Sequence, residues 1–228
     1  MLKSSSGLYI PTLQEGSDFE RDLSQPYFLG ERLTREEVES CMSIGLRLMV
    51  HDGNKLELDV PGHSIVQQWP TFLATSLGVS SVQTVKDTGG TLRTLSTTDG
   101  DTGPAMTGAV NSALKGIVCG TGGTAVAITD YVLETAIVNG VGAGQLQWAA
   151  DQFAALSTSG TSRLITITRA FTNNSAGSIT VNEVALYGQM DDSGATERTF
   201  CFCRDLLSFE IGIGQTKTVT YQFTIALT

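Results

Sequence analysis

The final residues of the chain show the clearest pattern of hydrophobic and polar positions. In the segment TVTYQFTIAL, every second side chain is apolar and the side chains between are threonine, glutamine or alanine. A period of two residues is that of a β-strand with one face in a core and one polar face. The predicted core-facing residues are Val219, Tyr221, Phe223, Ile225 and Leu227.

Further strands are predicted upstream of this one. GIVCG (116–120) has the composition of a buried strand, and LITITRAF (164–171) alternates Ile165, Ile167 and Phe171 with threonines. SITVNEVALYG (178–188) is predicted to pair with LITITRAF across the turn TNNSAG. Its apolar phase changes midway, which predicts a β-bulge near Asn182 or Glu183. TFCFCRDLL (199–207) follows as another strand.

Turn residues divide the first half of the chain into hairpins and one helical segment. IGLRLMV and KLELDV flank an Asp-Gly turn, and SVQTVK and TLRTLS flank a turn with two glycines. Residues 64–78 place Ile65, Trp69, Phe72, Leu73 and Leu77 near one helical face, with Ser64 as a cap and Pro70 as a predicted break or kink. QLQWAADQFAAL (145–156) favours strand over helix because it lies between glycine-rich turns.

Strands separated by turns about every ten residues favour one architecture. The prediction is a mainly β fold, an antiparallel, jelly-roll-like β-sandwich over residues 44–228, with one or two short helices. Residues 1–43 form an extended N-terminal arm, in which the spacing of Thr34 and Glu37 predicts a short helix over about residues 35–42.

The arm is rich in charge and cannot make a core of its own. Its apolar residues occur in two clusters, which we interpret as anchors that lie either against the arm's own domain or against a neighbouring subunit. These predicted assembly residues are Leu8, Tyr9, Ile10, Tyr27, Phe28 and Leu29.

Charge and cysteine content narrow the classes of partner. There are 14 basic and 23 acidic residues, a net charge of −9, and phosphate binding needs a basic footprint, so we expect no direct nucleic-acid binding. No apolar run reaches the length of a membrane helix and no signal peptide is evident, so we expect a soluble, unprocessed chain without a membrane partner. The four cysteines show no disulfide framework and are expected to be reduced.

Each candidate for chemistry is weak. The glycine-rich run 120–125 has the spacing of a dinucleotide fingerprint but lacks the βαβ context, so a turn between strands is favoured. The histidines are only His51 and His63. A lone Cys-x-Cys at Cys201 and Cys203 lacks a second ligand pair, and so favours buried thiols over metal.

Two further sets of charged residues are candidates for a binding site. Asp99 and Asp101 form only part of a calcium loop. Glu183, Arg204 and Asp205 lie inside apolar strands, as either a ligand site or, more simply, an ion pair or a protected sheet edge. We therefore predict no catalytic residue, no cofactor and no metal.

Several segments together resemble uncharacterised structural proteins of tailed bacteriophages. The elements are a Gly-Thr-Gly turn before D-Y-x-L, then R-x-F-x-N-x-S, N-E-x-x-L-Y and G-Q-T-x-T-V-x-Y, and the resemblance covers about residues 44–228. It implies a virion component of the head, neck or tail, and it brings no catalytic residue with it.

The expected function is therefore a non-enzymatic virion protein in many copies, made in the host cytoplasm. Its expected partners are other copies of itself and other virion proteins. The alternative is a module that binds carbohydrate or a host receptor through the loops STTDGDTGP or VNGVGAG, with Trp148 as the nearest aromatic residue.

Overall fold

The computed structural model describes residues 27–28, 31–32, 42–62, 64–76, 83–95 and 104–227. The chain divides into two compact units, Met1–Met42 and Ser43–Thr228. In the first unit, β1 (Tyr27–Phe28) and β2 (Glu31–Arg32) form a two-stranded antiparallel ladder. The predicted arm helix lies outside the described residues, except that Met42 begins strand β3.

The elements of the second unit follow in chain order. They are β3 (Met42–Asp52), β4 (Lys55–Gly62), α1 (Gln68–Ser76), β5 (Gln83–Lys86), β6 (Leu92–Leu95), β7 (Gly116–Gly120), β8 (Gln147–Trp148), β9 (Gln152–Phe153), β10 (Ser157–Ser159), β11 (Ser162–Thr172), β12 (Ile179–Asp191), β13 (Glu197–Ile211) and β14 (Thr216–Leu227). No helix in the part of the chain that the structure describes is long and apolar enough to span a membrane.

The strands form two main antiparallel sheets. The larger sheet has the order β10-β11-β14-β3-β4, and β8 and β9 also pair with β11. The smaller sheet has the order β13-β12-β7, and β5 and β6 form a separate hairpin. Strands make up 55% and helix 5% of the structure, so the predicted mainly β, antiparallel sandwich with a short helix is confirmed.

The two sheets share one apolar core. Val219, Tyr221 and Phe223 of β14 are buried in it, as the alternation predicted, while Ile225 is half-buried. The Tyr221 hydroxyl donates a hydrogen bond to Asp205 Oδ2 of β13 at 3.0 Å and so links the larger sheet to the smaller one. Burial of each large apolar side chain contributes about 1.5–3 kcal/mol, so the core is the main source of stability.

The predicted bulge in the strand 178–188 is confirmed. The β12–β13 pairing shifts between Val181 and Glu183, and the consecutive residues Glu183 and Val184 are both fully buried. The hairpins β3–β4 and β5–β6 are confirmed too, with Gly53 and Gly90 at positive φ in their turns.

The predicted pairing of LITITRAF with SITVNEVALYG is wrong. β11 pairs with β14 in the larger sheet, whereas β12 pairs with β13 and β7 in the smaller one. The turn between them is tied to the β13–β14 end of the sandwich, since the Asn173 side chain donates to Ile211 O and its backbone N–H donates to Gln215 O. The chain therefore crosses between sheets there instead of reversing within one.

The helical segment begins later than predicted, and Pro70 does not break it. Pro70 is the third residue of α1, where a backbone N–H has no partner within the helix, so the proline costs nothing there. Trp69 stacks on Phe223 with ring centroids 5.4 Å apart and meets Phe202 edge-on at 5.7 Å. Leu73, predicted on the buried face, is exposed, and Leu77 lies outside the described residues.

Arg169 forms a charged cross-link in the middle of the apolar core. It lies on β11 in phase with Ile167 and Phe171, and its side chain has no exposed surface. Its guanidinium donates to the carbonyl oxygens of Ala149 at 2.8 Å, Ile117 at 2.9 Å and Ala109 at 3.0 Å. Because Ile117 belongs to β7, this one side chain joins the larger sheet to the smaller.

Asp151 supplies the negative charge that faces Arg169. Asp151 Oδ2 lies 3.6 Å from Arg169 Nη1, and the carboxylate accepts hydrogen bonds from the backbone N–H groups of Gly108 and Ile117, each at 2.9 Å. A buried ion pair is tolerated when both partners are also hydrogen-bonded in this way. The pair therefore fixes residues 108–117 and 149–151 against β11.

Arg169→Met should lower the free energy of unfolding by about 3–5 kcal/mol, because it leaves a buried carboxylate without its counter-charge and several carbonyls without a donor. Urea unfolding measures the loss. Arg163→Met is the matched control, since Arg163 lies on the same strand but is exposed, and it should change stability by less than about 0.5 kcal/mol. Equal losses in the two variants would contradict the cross-link.

The titration of Asp151 should leave a signature in the pH dependence of stability. Burial raises the pKa of Asp151 from 3.8 to about 6, against the opposing hydrogen bonds of Ile117 and Gly108 and the charge of Arg169. Between these pH values the folded chain keeps a proton that the unfolded chain has released, so the stability contributed by Asp151 falls as pH rises. The unfolding free energy of the wild type minus that of Asp151→Asn should therefore shrink with rising pH across this window. A difference that stays flat, or grows, would show that the burial of Asp151 is not reflected in its titration.

Candidate functional site

The predicted assembly residues of the arm are only partly within the described residues. Tyr27 and Phe28 form β1 and pair with Arg32 and Glu31 of β2. Leu8, Tyr9, Ile10 and Leu29 lie outside the described residues. The arm's role in assembly therefore remains a prediction.

The glycine-rich run after β7 forms a closed loop and does not enter a helix. Thr121 N–H donates to Thr135 O at 2.8 Å, and Ile137 N–H donates to Cys119 O at 2.9 Å, so residues 121–136 return to the strand they left. The prediction of a turn between sandwich strands, in preference to a dinucleotide fingerprint, agrees with this geometry.

The backbone amides of this loop are already bound to carboxylates of the chain itself. Gly123 and Thr124 donate to Glu134 Oε2 at 2.8 and 2.7 Å, and Gly122 donates to Glu183 Oε1 at 3.1 Å. In a dinucleotide site such amides face a phosphate. Here the hydrogen bonds from Thr124 and Gly123 lower the pKa of Glu134, which keeps that carboxylate charged in its place.

Glu183 and Arg204, predicted either as a ligand site or as a structural ion pair, form the ion pair. Arg204 Nε lies 2.9 Å from Glu183 Oε2, and Arg204 Nη1 lies 2.7 Å from Asp130 Oδ2. Glu183 is fully buried and accepts further hydrogen bonds from the N–H groups of Glu134 and Thr135. The cluster clamps the loop 121–136 onto β12 and β13, and its acidic groups leave Arg204 no free side for an anionic ligand.

The sequence patterns did not identify Asp130 and Glu134 as partners of Arg204. They did not identify Arg169 and Asp151 as a pair either. Asp130 is part of the D-Y-x-L element, but its partner Arg204 is 74 positions away. Arg169 carried a signal, because it is in phase with the apolar residues of β11. A charged residue that shares the phase of a strand's buried residues points into the core. A buried charge needs a partner of opposite charge, so the phase predicts that partner.

The cysteine side chains within the described residues are buried, and the histidine there is half-buried. Cys119, Cys201 and Cys203 are free thiols as predicted, and burial raises the pKa of each thiol, so each stays protonated. His51 is half-buried beside the β3–β4 turn. Over the described ranges no group of three His, Cys, Asp or Glu side chains is placed to hold a metal ion. Cys41, His63, Asp99 and Asp101 lie outside those ranges.

A groove of about 670 Å³ lies where β4 and β13 come side by side. Its walls include Leu58 and Val60 of β4 and Leu206 of β13. Residues 64–66 already run along part of the β13 edge, where Val66 N–H donates to Phe202 O and Arg204 N–H donates to Ser64 O. An extended segment of the chain itself therefore occupies this part of the β13 edge.

A second surface is distinguished by its lack of charge. Residues 108–114, 138–141 and 152–156, here named the neutral face, adjoin the segment that runs along β11. Asn111 N–H donates to Trp148 O at 3.0 Å, Leu146 N–H donates to Val138 O at 3.2 Å, and Phe153 pairs with Ile167. These contacts bring the three segments to one edge of the larger sheet.

The neutral face exposes apolar side chains, and the one unburied charged residue that adjoins its segments in the sequence is Lys115, next to Leu114. Six of them are between 43% and 66% exposed, namely Val110, Leu114, Val138, Val141, Phe153 and Leu156. None of the three segments contains Asp, Glu, Lys or Arg, and Asp151, between them in the chain, is buried. A scan of charge along the sequence finds each segment uncharged, but only the fold brings the three segments together.

Comparison with known proteins gives no relative to set beside this geometry: no family model, no curated protein and no solved structure matches the chain.

Glu183→Gln should loosen the loop 121–136. Glutamine places an amide group against backbone N–H donors and leaves Arg204 without one of its counter-charges. Removing one partner of a buried ion pair lowers the free energy of unfolding by about 3–5 kcal/mol. Hydrogen exchange should accelerate at the amides of Gly122, Glu134 and Thr135. Glu210→Gln, at an exposed position of β13, is the control and should leave exchange in the loop unchanged. Unaltered exchange in Glu183→Gln would mean that the cluster does not hold the loop.

Proposed function

We propose that this chain is a non-enzymatic structural protein of a tailed-bacteriophage virion, present in many copies in the head, neck or tail. It is made in the host cytoplasm and functions in the assembled particle. Its partners are other copies of itself and other virion proteins, with contacts through the β-sandwich and the N-terminal arm.

One observation supports the proposal above the others: the polar residues of two of the resemblance patterns serve the architecture. In R-x-F-x-N-x-S, Arg169 cross-links the sheets and Asn173 fixes the turn that crosses between them. In N-E-x-x-L-Y, Glu183 pairs with Arg204, and the hydroxyl of Tyr187 accepts a hydrogen bond from Leu133 N–H. A pattern of this kind maintains a fold and its loop.

The distribution of the other charges supports the same proposal. Lys217 is buried on β14 and donates to Asp52 at 2.9 Å and to Glu57 at 2.8 Å. Asp87 pairs with Arg93, and Asp192 pairs with Arg198. These ionic groups join strands to one another, so they serve the architecture as the residues of the two patterns do.

The alternative function, binding of carbohydrate or a host receptor, lacks a platform at one of its two predicted loops. Trp148, the nearest aromatic residue to VNGVGAG, is buried against Phe171 and beneath the guanidinium of Arg169. A sugar cannot stack on a buried ring. The other loop, STTDGDTGP, lies outside the described residues except for Pro104.

Quantitative mass spectrometry of purified particles should find the chain as a stoichiometric component in many copies. A chain that is abundant in infected cells but absent from purified particles would contradict the proposal. The same preparations test the arm: a variant without residues 1–40 should be incorporated less well than the full chain, because it lacks the apolar anchors. Undiminished incorporation would remove the arm from the assembly contacts while leaving the chain a virion protein.

A further inference from the structure

We infer that the neutral face is the surface through which one copy of this chain binds a second copy. The inference rests on the proposed function, in which many copies lie side by side, and it names the surface that they share. The neutral face consists of residues 108–114, 138–141 and 152–156, whose exposed apolar side chains are described above.

Charge decides which part of an acidic protein can meet its own copy. The chain has a net charge of −9, so two copies repel each other wherever acidic side chains face across a contact. A contact through the neutral face brings no acidic side chain of the three segments opposite another, and the charged residue that borders it, Lys115, is basic. The three segments themselves carry no ion that the contact would have to remove from water, which is the step that makes buried charges expensive at interfaces.

Leu56 and Leu92, two exposed leucines elsewhere in the described residues, lie singly among charges, whereas on the neutral face only Leu114 has a charged residue next to it in the sequence, Lys115. Leu56 lies between Lys55 and Glu57, and Leu92 precedes Arg93. Single apolar residues among charges are normal on a protein surface. The neutral face instead gathers six such residues along one sheet edge, which is the pattern of an interaction surface.

The backbone of the neutral face is held rigid from beneath. Asp151 binds the N–H groups of Gly108 and Ile117, while Arg169 binds the carbonyl oxygens of Ala109 and Ala149. A surface whose backbone is fixed before binding loses little conformational entropy when it binds. The apolar side chains on it are therefore presented in a constant arrangement to the partner.

The ligand classes considered for this chain fit the neutral face less well than a second copy does. Nucleic acid needs lysine or arginine on the contact surface, and the three segments contain neither. Carbohydrate needs an exposed aromatic platform, and the neutral face exposes one ring, that of Phe153, among aliphatic side chains, while Trp148 is buried. A second copy needs only an apolar surface of the same kind. In a symmetric pair, the neutral face of one copy contacts the neutral face of the other.

Placing a negative charge on the neutral face tests the inference directly. Leu156→Glu and Val138→Glu each place a carboxylate on the neutral face at a position that is exposed in the monomer, so folding is preserved. Leu92→Glu is the matched control, because Leu92 is as exposed as the two test positions and lies on β6, outside the neutral face. Circular dichroism and thermal unfolding check that all three variants fold as the wild type does.

Sedimentation velocity of the full chain over a range of concentrations should show self-association of the wild type and of Leu92→Glu. The two neutral-face variants should associate at least about tenfold more weakly. In parallel, a photo-crosslinking residue in place of Leu156, incorporated into particles, should form a cross-link to another copy of the same chain.

The inference is overturned if the variants associate as tightly as the wild type. It is also overturned if the chain neither self-associates nor cross-links to another copy, including the case in which position 156 cross-links to a different virion protein. Failure of the proposed function is a separate outcome. If the chain self-associates through the neutral face but is absent from particles, the inference stands and the proposed virion role is wrong.

Discussion

The fold depends on a guanidinium group that has no contact with solvent. Arg169 lies on the larger sheet and binds a carbonyl oxygen of β7 in the smaller one, so it fixes the separation of the two layers at that point. Asp151 balances its charge and binds the backbone on both sides of residues 109–116. The neutral face is attached to this pair, so the same interaction that joins the sheets also sets the shape of the candidate assembly surface.

A second buried cluster performs a comparable task at the other end of β7. Glu183 and Arg204 hold the loop 121–136 by its backbone amides and by Asp130. The loop has the glycine spacing of a phosphate-binding turn, but carboxylates of the chain take the positions that a phosphate would occupy. The same backbone chemistry that binds an external anion in other folds serves here to close a loop onto a sheet.

The sequence predicted the strands well where one face is buried and one is polar. In β14 the alternation is unbroken, and Val219, Tyr221 and Phe223 lie in the core. The slip in phase at Asn182 predicted a bulge because a β-strand must keep a two-residue period unless a residue is inserted. Which strands pair was harder, since a turn such as TNNSAG has the same composition whether the chain reverses within a sheet or crosses to the other sheet.

The candidate surfaces were less predictable than the strands. Asp151 and Arg169 are 18 positions apart in the chain, and the pattern R-x-F-x-N-x-S that contains Arg169 does not include Asp151, so only the phase of Arg169 on its strand pointed inward. The neutral face combines three segments that are separated in the chain, and its unity depends on how they attach to β11. The predicted anchors of the arm followed from apolar clusters alone. Such a cluster predicts a contact, but its sequence does not identify the partner.

A cryo-electron microscopy reconstruction of the purified particle tests the central claim most directly. The account predicts many symmetry-related copies of the sandwich, with the side chains of Val138 and Leu156 covered by a neighbouring copy. A particle whose map contains no density for the sandwich, or one in which the neutral face of every copy is open to solvent, would contradict it.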